Sequence, residues 1–259
     1  MSLHTYRADG PGLPVVLLHG FPLDHRMWDA VADQLTADRA VHAVDLPGTP
    51  GNATDLPEPA LEASADAVAE VLRAAGIDRA VVAGLSMGGY VALALLERHP
   101  DLVAGLALVD TKSTADPPEA RANRLRIAAQ VEESGSVDAV RPMASSLVGE
   151  STRSSRPAVA VQVGEWIDQQ EPAGVAWSQR AMAARPDRSD VLRAFAGPVV
   201  VVVGDEDTVT PVEAAEHLVA TAPQAQLVVV PRAGHLSSVE QPADVAAALA
   251  NLAQAADSA

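Results

Sequence analysis

The stretch Ala80-Val81-Val82-Ala83-Gly84-Leu85-Ser86-Met87-Gly88-Gly89 decides the fold of this chain of 259 residues. Its first four residues are apolar and suit a buried strand, and a segment of helical length follows at residues 87–99. A serine between two glycines at a strand-to-helix turn takes a strained backbone that exposes its hydroxyl. The spacing therefore predicts that Ser86 is a nucleophile. The Met87 N–H, at the positive end of a helix, is the expected donor to an oxyanion.

Apolar runs of strand length recur along the chain, at residues 15–18, 41–44, 80–83, 106–109, 199–203 and 227–230. Such runs, apolar nearly all round, are typical of parallel strands that are covered on both faces. Helix-length segments lie between or after them, at residues 27–35, 61–75, 87–99, 212–222 and 243–255. The alternation predicts an α/β fold with a mostly parallel sheet and right-handed crossovers. A further strand is expected at residues 3–7.

Residues 112–197 break this alternation, because they contain helical patterns and no comparable strand run. The patterns lie at residues 119–132, 136–148 and 159–170. We predict a helical cap that is inserted between two strands of a core formed by residues 1–111 and 198–259. Such a cap would cover the carboxyl edge of the sheet, where open α/β sheets bind ligands. The alternative is a second domain with an unrelated role.

Composition excludes several classes of protein. A hydrophobic fraction of 48% and a charged fraction of 20% are typical of a globular chain. The formal net charge of −16 repels phosphate backbones and anionic lipids, so neither a nucleic-acid nor a membrane partner is expected. The chain has no cysteine, which excludes a thiol nucleophile and a cysteine-ligated metal. The first 20 residues do not resemble a signal peptide, so we expect a cytoplasmic location.

Three further segments carry chemistry. His19-Gly20-Phe21-Pro22 follows the first buried strand, and its turn places the Phe21 N–H as a second oxyanion donor; the alternative is a plain turn with a satisfied histidine. The acidic loop of residues 204–211 follows a five-valine strand and offers Asp205 and Asp207 to orient an imidazole. His235, after the last strand, is the expected general base. Serine, acid and histidine follow one another in the order of one family of hydrolases.

The acidic loop also has simpler interpretations. Thr210 is expected to cap the following helix, with Pro211 as its first residue. A cluster of aspartates can also bind Ca²⁺.

The sequence resembles the α/β-hydrolase superfamily over nearly its whole length outside the cap. The segments that carry the resemblance are Val15-Val16-Leu17-Leu18-His19-Gly20-Phe21-Pro22-Leu23-Asp24, Asp45-Leu46-Pro47-Gly48, Gly84-Leu85-Ser86-Met87-Gly88-Gly89, Gly204-Asp205-Glu206-Asp207 with Thr210-Pro211, and Gly234-His235. Small esterases, 3-oxoadipate enol-lactonases and cofactor-free haloperoxidases are the most similar members. The resemblance implies that Asp207, and not Asp205, is the acid of a Ser86–Asp207–His235 triad. It also implies eight strands, of which this short N-terminus lacks the first. The loop of residues 48–52 departs from the family pattern.

The resemblance implies a serine hydrolase that cleaves a carboxylic ester or lactone, with no metal or organic cofactor. A perhydrolase, a C–C bond hydrolase or a lyase would use the same triad. A non-catalytic small-molecule-binding protein is a further alternative. Tyr90, Trp166 and Trp177 are expected to line an apolar substrate pocket, although both tryptophans also suit the core of the cap. The cap arginines at positions 124, 126, 141 and 180 leave a substrate carboxylate possible. The sequence does not indicate an oligomeric state.

Overall fold

The computed structural model describes residues 1–37 and 39–259 and places seven strands of that part in one sheet. The strands are β1 (Ser2–Arg7), β2 (Val15–Leu18), β3 (Val41–Asp45), β4 (Ala80–Leu85), β5 (Val103–Val109), β6 (Val199–Gly204) and β7 (Ala225–Val230). Their order across the sheet is β1-β3-β2-β4-β5-β6-β7. Neighbouring strands are parallel except for β1, which runs antiparallel to β3. The predicted α/β fold with a mostly parallel sheet is confirmed.

Helices alternate with these strands. They are α1 (Asp29–Leu35), α2 (Leu61–Ala74), α3 (Met87–Arg98), α4 (Pro118–Ser134), α5 (Met143–Ser146), α6 (Glu150–Ser155), α7 (Ala158–Asp168), α8 (Pro172–Ala184), α9 (Ser189–Ala194), α10 (Val212–Thr221), α11 (Ser237–Glu240) and α12 (Pro242–Asp257). Helices α2 and α3 pack together against the sheet, and α12 with α1 covers the opposite face. Short 3₁₀ turns lie at His25–Trp28 and Pro100–Leu102. None of the helices in the described ranges is long and apolar enough to cross a membrane.

The central strands are buried as expected, but β7 is not. Every residue of β2, β4, β5 and β6 is buried, which explains their continuous apolar sequences. In β7, Leu227 is 37% exposed and Val229 is 43% exposed. The expectation that residues 227–230 are covered on both faces was therefore wrong. The physical reason is position: β7 is an edge strand, so its apolar run has less of the molecule packed against it.

The segment between β5 and β6 consists of helices α4 to α9 joined by turns. Helix α4 packs against α8. The long helix expected at residues 136–148 was wrong, because within that range the structure contains the single α-helical turn α5. Gly135 ends α4 in the left-handed region, with φ of 61°, and Pro142 lacks the N–H that an uninterrupted helix would use.

Candidate active site

The turn between β4 and α3 strains the backbone of Ser86. Its φ is 52° and its ψ is −112°, an unusual conformation for a residue with a side chain. The turn is tight because Gly84 lies against the backbone of Gly88 and Gly88 lies against the Leu18 carbonyl, so that a Cβ at either glycine would collide. The Thr111 hydroxyl donates to the Ser86 carbonyl at 2.8 Å and holds the turn from the neighbouring strand. These contacts give Ser86 the geometry that the sequence motif predicts.

Ser86, His235 and Asp207 form a continuous line of hydrogen bonds. Ser86 Oγ lies 2.8 Å from His235 Nε2, and His235 Nδ1 lies 2.8 Å from Asp207 Oδ2. The Asp207 carboxylate can only accept a hydrogen bond, so His235 Nδ1 carries the proton of the neutral imidazole and donates to Oδ2. The other ring nitrogen, Nε2, then accepts from the Ser86 hydroxyl. His235 and Asp207 are 3% and 5% exposed, so the bond between them is buried, whereas the bond to the half-buried Ser86 is partly open to solvent. The arrangement can withdraw a proton from Ser86.

Thr210 is a member of this site that sequence reasoning assigned to another role. Its hydroxyl donates to Asp207 Oδ2 at 2.8 Å and lies 3.3 Å from His235 Nδ1. Asp207 Oδ1 accepts from the N–H groups of Val209 at 2.7 Å and of Thr210 at 3.0 Å. The expected N-cap was wrong: Pro211 is the N-cap residue of α10, no side chain caps it, and the helix begins at Val212. The Thr210 hydroxyl is instead turned back towards the carboxylate.

Electrostatics favour a protonatable base. Burial acts to lower the pKa of His235, but the hydrogen bond and charge of Asp207, with the charges of Asp110 and Glu240, raise it above its ordinary value. Burial acts to raise the pKa of Asp207, and the bonds from His235 and Thr210 outweigh it, so the pKa of this carboxyl is lowered. Asp207 therefore stays ionised while His235 gains and loses a proton.

Two backbone donors lie beside this line. The hydrogen bonds of the described residues leave the N–H groups of Phe21 and Met87 without a partner. The turn before Phe21 is fixed by His19, whose Nε2 accepts from the Leu46 N–H at 3.0 Å and whose Nδ1 lies 3.1 Å from the Gly20 carbonyl. Burial lowers the pKa of His19 and keeps it neutral. His19 is thus a satisfied structural histidine, and the turn that it supports presents Phe21.

A small, open cleft adjoins both donors. Residues outside the segment between β5 and β6 contribute His19, Phe21, Pro22, Leu23, Pro47, Gly48, Thr49 and Met87. That segment, residues 112–197, here called the cap segment, contributes Gln170, Gly174, Val175 and Ser178. Sequence reasoning named Phe21 and Met87 but missed the four cap residues. Gln170 lies just before α8 and the other three lie between its start and its midpoint, and no motif in the sequence marks them.

The three predicted substrate-binding residues are not among those that line the cleft. Trp177 is 6% exposed, and its Nε1 donates to the Pro57 carbonyl at 2.6 Å, as a packed residue of the cap would. The Tyr90 ring lies 4.0 Å beneath the guanidinium of Arg185, and the Trp166 ring lies 5.9 Å from that of Arg26. Direct substrate contact by Tyr90, Trp166 and Trp177 stays a prediction.

The acidic side chains of the 204–211 loop point to different partners. Asp205 accepts from the Arg232 N–H at 2.7 Å, and Glu206 accepts from the Ser151 N–H at 2.8 Å. With Asp207 committed to His235, the three carboxylates do not converge as Ca²⁺ ligands do.

A separate group that could hold a metal ion comprises Asp24, His25 and Asp45, whose candidate ligand atoms lie within 4.8 Å of one another. Asp24 forms an ion pair with Arg26 at 2.7 Å, and Asp45 lies 2.9 Å from His25. These polar groups therefore already satisfy one another.

Comparisons with known proteins identify the family of this chain. The sequence profile of the alpha/beta hydrolase fold matches residues 14–242. A pimeloyl-[acyl-carrier protein] methyl ester esterase of Chromobacterium violaceum is 32% identical over 247 residues, 93% of this chain and 94% of that protein. An esterase from Thermogutta terrifontis, solved with malate bound, superimposes with a TM-score of 0.93 at 38% identity, over 99% of this chain and 93% of that one.

An enol-lactonase from Burkholderia xenovorans shares the fold, with a TM-score of 0.84 at 21% identity over 97% of this chain and 94% of that one. The comparisons confirm the predicted fold class and the predicted general class of enzyme, a carboxylic ester hydrolase. The chain belongs to the alpha/beta hydrolase fold family.

Proposed function

We propose that this chain cleaves a carboxylic ester or lactone through a serine acyl-enzyme. The observation that carries the proposal is the line of two 2.8 Å hydrogen bonds from Asp207 through His235 to Ser86 Oγ. It lies beside the unpartnered N–H groups of Phe21 and Met87. A nucleophile, a base, an orienting acid and two oxyanion donors are the set of groups that acyl transfer requires.

Acylation begins when His235 Nε2 removes the proton of Ser86 Oγ as that oxygen attacks the substrate carbonyl. The carbonyl oxygen becomes an oxyanion and accepts hydrogen bonds from the N–H groups of Phe21 and Met87. Asp207 stabilises the imidazolium that forms on His235. When the tetrahedral intermediate collapses, the imidazolium gives its proton to the leaving alkoxide, and an ester of Ser86 remains.

Deacylation repeats these steps with water. His235 takes a proton from the water molecule whose oxygen attacks the acyl carbon, and it later returns a proton to Ser86 Oγ. The acid is released and the serine is regenerated. These steps need no metal or organic cofactor.

The cleft sets an expectation for the substrate. The cleft beside the two oxyanion donors is small and open, so short acyl groups should react best. The cytoplasmic location and the lack of a nucleic-acid or membrane partner stay predictions from the sequence.

Ser86→Ala tests the proposal directly. We expect the wild type to hydrolyse p-nitrophenyl acetate and butyrate faster than the octanoate. Loss of the nucleophile in this kind of triad lowers kcat by about 10⁶-fold, so the variant should fall to background. A fluorophosphonate probe should label the wild type at Ser86.

The matched control is Ser154→Ala, an exposed serine of α6, which should keep wild-type activity and labelling. Equal activity of wild type and Ser86→Ala would rule out the proposed nucleophile. A wild type that neither turns over nor reacts with the probe would favour a binding protein.

A further inference from the structure

Two residues directly after β5, Asp110 and Thr111, contact the loops on either side of them. Thr111 Oγ1 donates to the Ser86 carbonyl at 2.8 Å, on the nucleophile turn. Asp110 Oδ1 accepts from the Gly204 N–H at 2.9 Å, at the end of the strand that leads to the acid loop. Asp110 Oδ2 accepts from Ser237, from its N–H at 3.1 Å and from its hydroxyl at 2.6 Å.

These contacts reach Ser86 itself and residues close in sequence to Asp207 and His235. Gly204 lies three positions before Asp207, and Ser237 lies two positions after His235. One carboxylate thus joins the acid loop (residues 204–211) to the segment that carries His235 (residues 231–237, here called the base loop), and the adjacent threonine holds the nucleophile turn. The β5 strand lies between β4, which leads to Ser86, and β6, which leads to Asp207, so the residues at its end can reach both neighbours.

Asp110 combines a buried carboxyl group with a strained backbone. Its side chain is fully buried, and its φ is 44°, in the region that residues with a side chain rarely occupy. Among the ion pairs of the described residues, none links Asp110 to a lysine or arginine. A buried carboxyl and a strained backbone persist when the surroundings determine them strongly, and such residues cluster at functional sites.

We propose that Asp110 is a positioning residue that fixes the distance between the acid and base loops, and thereby the alignment of Asp207 with His235. The proposal rests on the proposed function, because it assigns Asp207 and His235 their roles in the triad. Thr111 completes the arrangement on the Ser86 side.

The charge of Asp110 affects the pKa of His235 in one direction. The charged groups that face His235 are Asp207, Asp110 and Glu240, and each raises its pKa. Burial, followed by the charge of Asp207, raises the pKa of Asp110 to about 7, and His235 and the bonds from Ser237 and Gly204 act against this rise. Replacing Asp110 by a neutral residue should therefore lower the pKa of His235. Since His235 must be neutral to accept the Ser86 proton, the acid limb of the activity profile should move to lower pH.

Asp110→Asn tests this inference. Asparagine has one acceptor oxygen, so its NH₂ group must face either the Gly204 N–H or the Ser237 N–H. The hydrogen bond from the N–H group that it faces is then lost. We expect kcat for p-nitrophenyl butyrate to fall by about 10–100-fold, from the loss of a hydrogen bond to a charged group. We also expect the midpoint of the acid limb to shift to lower pH. NMR titration of the His235 ring should show the same shift without any turnover.

Two further variants separate positioning from general damage. Asp205→Asn makes the same change at the exposed aspartate of the same acid loop, and it should leave kcat and the acid limb unchanged. Ser237→Ala removes one bond to Asp110 and keeps the carboxylate. That bond helps to keep Asp110 ionised, so its loss should shift the acid limb in the same direction as Asp110→Asn, but by less. Ser237→Ala also replaces Asp110→Asn if the latter does not fold.

Unchanged kcat and an unmoved acid limb in Asp110→Asn would overturn the proposal while leaving the serine-hydrolase function in place. A loss of kcat with an unmoved His235 titration would also overturn it, since a purely structural role predicts that result. If the wild type shows no hydrolase activity, the proposed function fails instead, and the His235 titration still decides the role of Asp110.

Discussion

Individual hydrogen bonds fix the Asp207 carboxylate in one orientation. Its Oδ1 is occupied by two N–H groups of its own turn, from Val209 and Thr210. Its Oδ2 accepts from the Thr210 hydroxyl and from His235. Three hydrogen bonds from its own loop therefore orient the carboxylate independently of the bond from the imidazole. An acid prearranged in this way does not need to reorganise as His235 becomes charged.

Removing the Thr210 hydroxyl should weaken this arrangement. In Thr210→Val, the Asp207 carboxylate loses one charged hydrogen bond, typically a loss of about 1.5–3 kcal/mol, so we expect kcat to fall by about 10–100-fold. Steady-state kinetics with a p-nitrophenyl ester measure the effect. Thr208→Val, at an exposed position two residues earlier, is the control and should retain full activity. Equal activity of the two variants would contradict the role given to Thr210.

The wild-type pH profile is a second prediction for single residues. The pKa of His235 is raised above the ordinary 6.5, and the residue acts as a base only when it is neutral. Activity on a neutral ester should therefore rise with pH through a midpoint above 6.5. A midpoint below the ordinary value would contradict the assignment of His235 as base.

In Asp207→Asn, kcat should fall by about 10⁴-fold, because the imidazole loses its orienting partner.

Close backbone contacts attach secondary-structure elements of the cap segment to the core. The start of α8 lies against the loop after β3, where a Cβ on Gly174 would come 2.7 Å from the Gly48 Cα. The loop before α6 contacts the loop after β7, where a Cβ on Gly149 would come 2.8 Å from the Gly234 N. The His235 N–H also donates to the Leu147 carbonyl at 2.9 Å. The backbone of the base is thus bonded to the cap segment itself.

Gly174→Ala should disturb this packing. The added methyl group overlaps the Gly48 backbone, and overpacking of this kind costs about 1–3 kcal/mol of the free energy of unfolding. Both glycines line the cleft, so KM should rise as well. Urea denaturation and ester kinetics measure the two effects.

Gly164→Ala in α7 is the matched control, because the new Cβ would lie 3.5 Å from the Ala144 Cβ, an ordinary van der Waals distance. We expect that variant to gain up to about 1 kcal/mol in stability from helix propensity. Equal stability of the Gly174 and Gly164 variants would contradict the close contact.

The order and type of most elements could be predicted from the sequence, because apolar runs and glycine turns are local signals. The start of α10 could not be predicted, because the Thr210 hydroxyl can either cap the helix or donate to Asp207. In the structure it donates to the Asp207 carboxylate. The exposure of Leu227 was missed because an apolar run does not reveal which strand lies at the edge. The motifs were enough to name Ser86, Asp207 and His235, which the structure joins by hydrogen bonds; their catalytic roles stay a prediction. The cleft residues of the cap segment could not be named, because their positions depend on how helices pack.

Over the whole molecule, acidic groups dominate, yet one carboxylate is surrounded by cations. Asp116, just before α4, lies 2.6 Å from Arg185 and 3.1 Å from Lys112, and Arg124 is a third partner. The side chains of Asp116 and Arg185 are 3% and 2% exposed. Burial acts to raise the pKa of Asp116, but these partners lower it far below its ordinary 3.8. The pair joins the residues before α4 to the residues after α8, both within the segment between β5 and β6.

Asp116→Asn should therefore destabilise the protein in a pH-dependent way. Breaking a buried ion pair by removing one partner costs about 3–5 kcal/mol, which we expect at pH 7. A lowered folded-state pKa contributes stability above the unfolded value of 3.8 and loses it as pH falls, so the difference from wild type should shrink in acid. Denaturant unfolding at several pH values measures this trend. Asp66→Asn, an exposed partner of Arg98, is the control and should cost at most about 1 kcal/mol.

The insertion point of the cap segment has a consequence for how such proteins diversify. Strands β5 and β6 are adjacent and parallel, so the segment leaves the sheet at the carboxyl end of β5 and returns at the amino end of the neighbouring strand. Recombination could exchange it for a foreign segment without breaking a strand pair, and substrate range could change while the nucleophile turn is inherited intact. The bond from the His235 N–H to Leu147, and the contact of Gly149 with Gly234, restrict that exchange. A transplanted cap would need to bring an acceptor and a small residue to those two places.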